Sequence, residues 1–240
     1  MDYQKRLAQA VRHFWMTRAR QYQRQGAQTG RSDAGFRRAV TAGKHLDGFI
    51  TLFAELAQEA GVPASSIHIK RTTLPGYFRP TKSWDIVIVD QGALLASIEF
   101  KAHVGPSFGN NFNNRFEEAL GSAIDLLTAY REGKFQPSAR PWLGWLMLLE
   151  ASPKSLAPVH PAEPHFPVFE EFKQASYAQR YEIFCRRLLR ERLYDGACLL
   201  LSEREAGLHG QYEEPDPEIG FKAFATSLLA HLTAYTTLNR

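Results

Sequence analysis

Residues 84–131 constrain the fold more than any other stretch of this chain: WDIVIVDQGALLASIEFKAHVGPSFGNNFNNRFEEALGSAIDLLTAYR. Two short apolar runs, 86–89 and 94–100, flank a turn containing Gly92, so the segment reads as strand, turn, strand, loop and helix. Its charges stand where buried strands do not want them. Asp85 opens the first run, and Glu99 and Lys101 close the second. Charges leaving water are costly unless paired or coordinated. The trio is therefore either a buried ion-pair cluster or a site for a hard divalent cation.

Side chains alternate faces along a strand, so Glu99 and Lys101 share one face, and Asp85 shares one with Val87 and Val89. A three-residue connection, Gln91-Gly92-Ala93, pairs Asp90 with Leu94 and sets Asp85 opposite Glu99. A two- or four-residue connection puts the carboxylates on opposite faces. With the first register, both can reach one Mg²⁺, an ion that takes a few carboxylate oxygens and keeps several waters. Lys101 can then orient an attacking water and offset charge on a phosphate.

The remaining pattern is that of an α/β protein. The runs 142–150 (WLGWLMLLE) and 197–203 (ACLLLSE) are short and continuously apolar, as strands buried on both faces are. A short strand is expected near 66–71, and the TLPGYFRPTKSW segment reads as a Pro-Gly turn leading into the central strand. Helices are expected over 2–25, 44–60, 113–131, 177–193 and 219–237, with the 113–131 helix crossing over to make strand 143–150 parallel to 94–101. Residues 26–44 read as a mobile basic loop, and 203–218 as an acidic one. No composition break divides the chain. It is expected to be one domain over 1–240, with a basic N-terminal helix and loop (1–43), a core (44–203) and a C-terminal loop and helix (204–240).

Charge distribution narrows the partner. Ten basic residues against two acidic ones from Met1 to Lys44 give that segment +8 in a chain of net +4. A basic arm on a mildly acidic body fits a polyanion partner, although a solvated helix face reads equally well. No apolar run reaches the roughly eighteen residues of a membrane span. The start is not that of a signal peptide. Cys185 and Cys198 match no zinc spacing, so a cytoplasmic setting is expected.

The loop after the second strand, GPSFGNNFNNR, offers Asn110, Asn111, Asn113, Asn114 and Arg115 just before a helix. Asn makes bidentate bonds to adenine and Arg to guanine in the major groove. Capping of the helix by Asn113 or Asn114 is an equal reading. Arg79 and Lys82, just before the first strand, are further DNA-contact candidates.

Asp85 followed by Glu99-Phe100-Lys101 resembles the metal motif of the PD-(D/E)XK nucleases, with Trp84 where that motif often has proline. TLPGYFRPTKSWD, IEFKAHVGPSFGNNFNNRFEEA and PHFPVFEEFKQASYAQRYEIFCRRL are similar to the XhoI-type type II restriction endonucleases, over most of residues 40–200. The resemblance implies a restriction-endonuclease-like α/β core with a central mixed sheet flanked by helices. It also implies a homodimeric, Mg²⁺-dependent enzyme cutting double-stranded DNA at CTCGAG to leave 5′ overhangs, and a cognate DNA methyltransferase acting on the same site. Asp85 and Glu99 would be the metal ligands and Lys101 the catalytic lysine. An additional carboxylate from the first core helix would be Asp47, or else Glu55. The alternatives are a structure-specific or repair nuclease on the same core, or a DNA-binding module with an inactive site.

Overall fold

The computed structural model of the protein describes residues 2–29 and 44–239. Along the chain come α1 (Tyr3–Thr29), α2 (Asp47–Glu59), β1 (Ile67–His68), β2 (Thr73–Pro75), β3 (Thr81–Ser83), β4 (Ile86–Asp90) and β5 (Ala93–His103). Then follow α3 (Gly109–Arg131), β6 (Trp142–Glu150), α4 (Tyr177–Arg190), β7 (Gly196–Ser202) and α5 (Phe221–Leu238). Five strands form one mixed sheet in the order β1-β4-β5-β6-β7, and β2 and β3 form a separate hairpin. The β1/β4 and β4/β5 pairs are antiparallel, and β5/β6 and β6/β7 are parallel. The expected α/β architecture, with α3 crossing over between parallel β5 and β6, is the one observed. None of its described helices is long and apolar enough to cross a membrane.

Burial explains the strands. Every residue of β6 and of β7 is buried, so both runs can be apolar without alternation. On one face, Ile86, Ile98, Phe100, Leu146 and Leu200 pack against α1, α2 and α5. On the other, Val87, Trp145, Met147 and Leu199 pack against α3 and α4. Phe53 of α2 stands at the centre of the first layer, its ring 5.3 Å from Phe100 and 5.1 Å from Phe224. Truncating such a ring to alanine costs about 3–5 kcal/mol. α4 starts where its sequence directs it: Ser176 and Gln179 form a reciprocal capping box.

The hairpin differs from expectation in an instructive way. Asp90 pairs with Ala93, not Leu94, so the connection is the two residues Gln91-Gly92. Both have positive φ, 47° and 80°, the signature of a primed turn that matches strand twist. That register alone would separate the carboxylates. A bulge then inserts Leu95: Val89 faces Leu94, but Ile88 faces Ala96 and Ile86 faces Ile98. The extra residue restores the lost one.

Four further expectations shift. α1 continues to Thr29, and residues 30–43 of the expected loop lie outside the described residues. α3 starts at Gly109 instead of 113, so the asparagines ride on its first turns and do not form a loop. Asn and Gly favour turns, but Phe112 packs edge-on against Tyr181 at 5.0 Å, and this tertiary contact outweighs local propensity. The TLPGYFRPTKSW segment is a hairpin, not a simple turn, with Leu74 opposite Lys82. The 203–218 loop holds a helical turn, Arg204–Gly207, and a bridge from Glu213 to Leu201.

Candidate active site

The charged residues of β5 meet those of three neighbouring elements. Glu99 is 6 % exposed and stands beside Trp145 of β6 in the parallel register, so its side chain emerges on the α3 face. Asp85, just before β4, straddles it. The Asp85 N–H donates to the Ile98 carbonyl at 3.1 Å, and the Phe100 N–H donates to Asp85 Oδ2 at 2.7 Å. Burial and the neighbouring Glu99 charge push the Asp85 carboxyl up to about 6, against partial relief from the Phe100 bond and the nearby lysines.

Two ammonium groups hold this pair. Lys82 Nζ, from β3, lies 2.5 Å from Glu99 Oε2 and 4.5 Å from the centroid of Trp84. Lys101 Nζ is bonded to Glu99 Oε1 and lies 3.6 Å from Glu118 Oε2 of α3. Burial pulls the Lys82 ammonium down despite Glu99. In Lys101 burial acts the same way but Glu99, Glu118 and Asp85 outweigh it, leaving that ammonium raised. Lys82, expected as a DNA contact, stands at the carboxylates, because the β2–β3 hairpin folds back and closes with Trp84 N–H on the Thr72 carbonyl.

Among the described residues no three His, Cys, Asp or Glu side chains are grouped to hold a metal. The donor set is a pair of carboxylates. Asp85 Oδ1 carries no hydrogen bond from a described residue, and each Glu99 oxygen has a second lone pair beyond its lysine. Oxygen-only donors fit a hard divalent cation, whose charge would offset the burial and the Glu99 repulsion that raise Asp85.

The helix expected to supply an extra carboxylate packs on the opposite face of the sheet. Glu55 pairs with Arg6 of α1 at 2.6 Å, and Asp47 lines a surface groove between α1 and α2 with Arg6 and His13. Neither is brought to Glu99. Glu118 is the carboxylate that joins instead, lying 2.6 Å from Arg115 as well as near Lys101. Its position on an amphipathic helix, one turn after Arg115, was the available signal.

Arg115 is partly buried, and its Nε is buried without a partner among the described residues. Asn110, Asn113 and Asn114 are exposed, whereas Asn111 donates to the Ser107 carbonyl at 2.8 Å. Phe108 occupies the cap position, so neither Asn113 nor Asn114 caps α3. Arg79 is held by Asp125 at 2.8 Å. Below the helix start, His103 fixes the loop: its Nε2 bonds the Ser107 carbonyl at 3.0 Å and its Nδ1 accepts from Tyr181 at 2.8 Å. A carbonyl can only accept, so Nε2 carries the proton. Glu150 accepts the Gly105 N–H at 2.8 Å and pairs with Arg204, pinning the same loop from β6.

Comparison with known proteins bears on this arrangement. Residues 24–214 match the model of the family described as restriction endonuclease XhoI. The chain is 49 % identical over 217 residues to the type II restriction enzyme BstVI of Geobacillus stearothermophilus, covering 88 % of this chain and 97 % of that one. It is 49 % identical over 162 residues to the type II restriction enzyme XhoI of Xanthomonas vasicola, covering 66 % and 65 %. It is 48 % identical over 167 residues to the type II restriction enzyme AbrI of Azospirillum brasilense, covering 69 % and 74 %. No solved structure matches the chain. With a family match over most of its length and a relative at 49 % identity over 88 % of the chain, the chain belongs to the XhoI restriction endonuclease family and is a type II restriction endonuclease.

Proposed function

We propose that the protein is a homodimeric, Mg²⁺-dependent endonuclease that cuts both strands of DNA at the palindrome CTCGAG, leaving 5′ overhangs. The observation that carries this reading is the Asp85–Glu99 pair flanked by Lys82 and Lys101. Type II restriction enzymes generally use divalent metal ions, and here Asp85 and Glu99 would hold one. Such an ion lowers the pKa of water and offsets charge on the phosphate. The protein's own groups do the rest. Lys101 orients the attacking water, and Lys82 balances the negative charge that gathers beside Glu99. Phe100 N–H keeps the Asp85 carboxylate aimed at Glu99, so little reorganisation is needed on binding.

Reading falls to the start of α3, where Asn110, Asn113 and Asn114 are exposed and Arg115 pairs with Glu118 one turn on. Asn111, with its amide partly engaged by Ser107, is a secondary contact. A palindrome suits a two-fold dimer in which each protomer reads one half-site and cuts one strand. The whole chain, 1–240, forms the nuclease unit and works in the cytoplasm beside its DNA. A methyltransferase modifying the same sequence would protect the host, without needing to bind this protein.

Digestion of a sequenced plasmid with Mg²⁺, against an EDTA control, tests the reading. Discrete fragments whose mapped ends fall at CTCGAG with 5′ overhangs are expected. Smears, fragments ending elsewhere, or cutting in EDTA would overturn it.

A further inference from the structure

The tip of the β2–β3 hairpin is fixed rigidly yet leaves two aromatic rings in water. Oδ1 of Asp125 on α3 accepts the backbone N–H groups of Tyr77 and Phe78, each at 2.7 Å. Its Oδ2 accepts from Arg79 Nε at 2.8 Å, and Arg79 also donates to Ser122 Oγ at 3.2 Å. Asp125 is 3 % exposed. These bonds outweigh burial and hold its carboxyl below the usual range, so it remains the anion they need. Gly76 completes the clamp, since a Cβ there would lie 2.2 Å from Asp125 Oδ2. Backbone, guanidinium and glycine of one short tip thus converge on a single buried carboxylate.

What this clamp presents is apolar. Tyr77 is 54 % exposed and Phe78 70 %, their rings edge to face at 5.0 Å. Fixing a loop without burying its rings contributes little to the fold, so its shape serves a partner outside the chain. Charge selects that partner. From residue 61 to 84 the sequence has Lys70, Arg71, Arg79 and Lys82 and no acidic residue. Lys70 and Arg71 are exposed. The strand leaving the tip carries Lys82 to Glu99, so tip and cutting centre are one continuous element.

We propose that Tyr77 and Phe78 form a wedge that enters a groove of the bound duplex beside the cleavage site and bends it, the rings packing against sugars and base faces. The inference rests on the reading of the protein as an endonuclease acting on duplex DNA. Two exposed rings on a segment whose exposed charges include Lys70 and Arg71 and no carboxylate suit a polyanion better than a second copy of the chain, whose interface would need a broader apolar area.

The test uses the full protein, the wild type beside Phe78→Ala and the double variant Tyr77→Ala/Phe78→Ala, with a labelled CTCGAG duplex in EDTA. Anisotropy reads affinity, and circular-permutation gels read the bend. Both side chains are exposed, so urea midpoints should match the wild type. The double variant is expected to bind about tenfold or more weakly and to bend the duplex less. Wild-type affinity and bend in the double variant would overturn the wedge. So would a shift from dimer to monomer on sedimentation with the bend intact, which would make the tip a contact between copies. Failure of the wild type itself to cut plasmid DNA would overturn the endonuclease reading; normal wild-type cutting beside an unaltered double variant would overturn the wedge alone.

Discussion

Asp85 is tied to the two residues that flank Glu99, giving its N–H to the Ile98 carbonyl at 3.1 Å and taking the Phe100 N–H on Oδ2 at 2.7 Å. The Asp85 carboxylate is therefore positioned by backbone, whereas that of Glu99 is held by the ammonium groups of Lys82 and Lys101. The closeness of the two carboxylates depends on the Leu95 bulge, which offsets the short Gln91-Gly92 turn. Such crowding of like charges on a sheet is costly for stability, and a site that keeps it points to a cation.

Replacing Asp85 by Asn should therefore stabilise the metal-free protein while abolishing cleavage. The folded-state carboxyl titrates near 6, above its usual value of 3.8, so above pH 6 it is ionised at a cost the unfolded chain does not bear. Removing that charge should gain on the order of 1–3 kcal/mol at pH 8, one pKa unit being about 1.4 kcal/mol. The gain should shrink as pH falls through 6 toward 4, where wild-type Asp85 becomes protonated in the folded state. Urea melts at the two pH values measure it, and a variant less stable than wild type at pH 8 would refute the argument.

The same shift sets a pH dependence for activity. A protonated Asp85 cannot ligate a cation, so metal affinity should fall below about pH 6. Cleavage at subsaturating Mg²⁺ should then drop by up to about tenfold per pH unit, and saturating Mg²⁺ should restore part of it by mass action. Initial rates across pH at two Mg²⁺ concentrations check this, and a profile indifferent to Mg²⁺ would exclude Asp85 as the titrating ligand.

What the sequence made legible follows from where each signal is local. Strands buried on both faces announce themselves, and β6 lies where the WLGWLMLLE run puts it. Asp85, Glu99 and Lys101 stand out because they interrupt such runs. Glu118 and Asp125 do not, because a carboxylate on a helix reads as part of a solvated face. Asp125 becomes visible only once the buried side of α3 is known to run through Ser122, Asp125 and Ala129, with a partner loop 46–48 residues earlier. Asp47 and Glu55 mislead for the converse reason. Nothing in α2 reveals which face of the sheet it will cover, and its stripe packs opposite Glu99.

His103 should give the fold an acid limb. Burial pulls its imidazole down to about 4, against a Ser107 hydrogen bond that acts the other way, so the folded state holds it neutral. The unfolded chain takes up the proton near 6.5, so this stabilisation is full above 6.5 and is lost as pH falls toward 4. His103→Gln should flatten the fall of the urea midpoint between those values. An unchanged slope would place the acid sensitivity elsewhere.

Arg115 offers the sharpest separation of reading from holding. In the free protein Glu118 grips it at 2.6 Å while also standing 3.6 Å from Lys101, so one carboxylate touches both the arginine proposed to read DNA and the lysine proposed for catalysis. A guanidinium that leaves Glu118 for a guanine edge would free Glu118 to turn fully to Lys101. Arg115→Ala should therefore weaken binding to CTCGAG by about 1–3 kcal/mol and leave random duplex nearly untouched. Glu118→Gln should raise affinity for both duplexes by removing a negative charge from the DNA face, and should slow cleavage of bound CTCGAG by loosening Lys101. Anisotropy on the two duplexes with single-turnover cleavage separates these effects. Equal loss on both duplexes in Arg115→Ala would make Arg115 a phosphate contact, and wild-type single-turnover rates in Glu118→Gln would remove Glu118 from the path between reading and cutting.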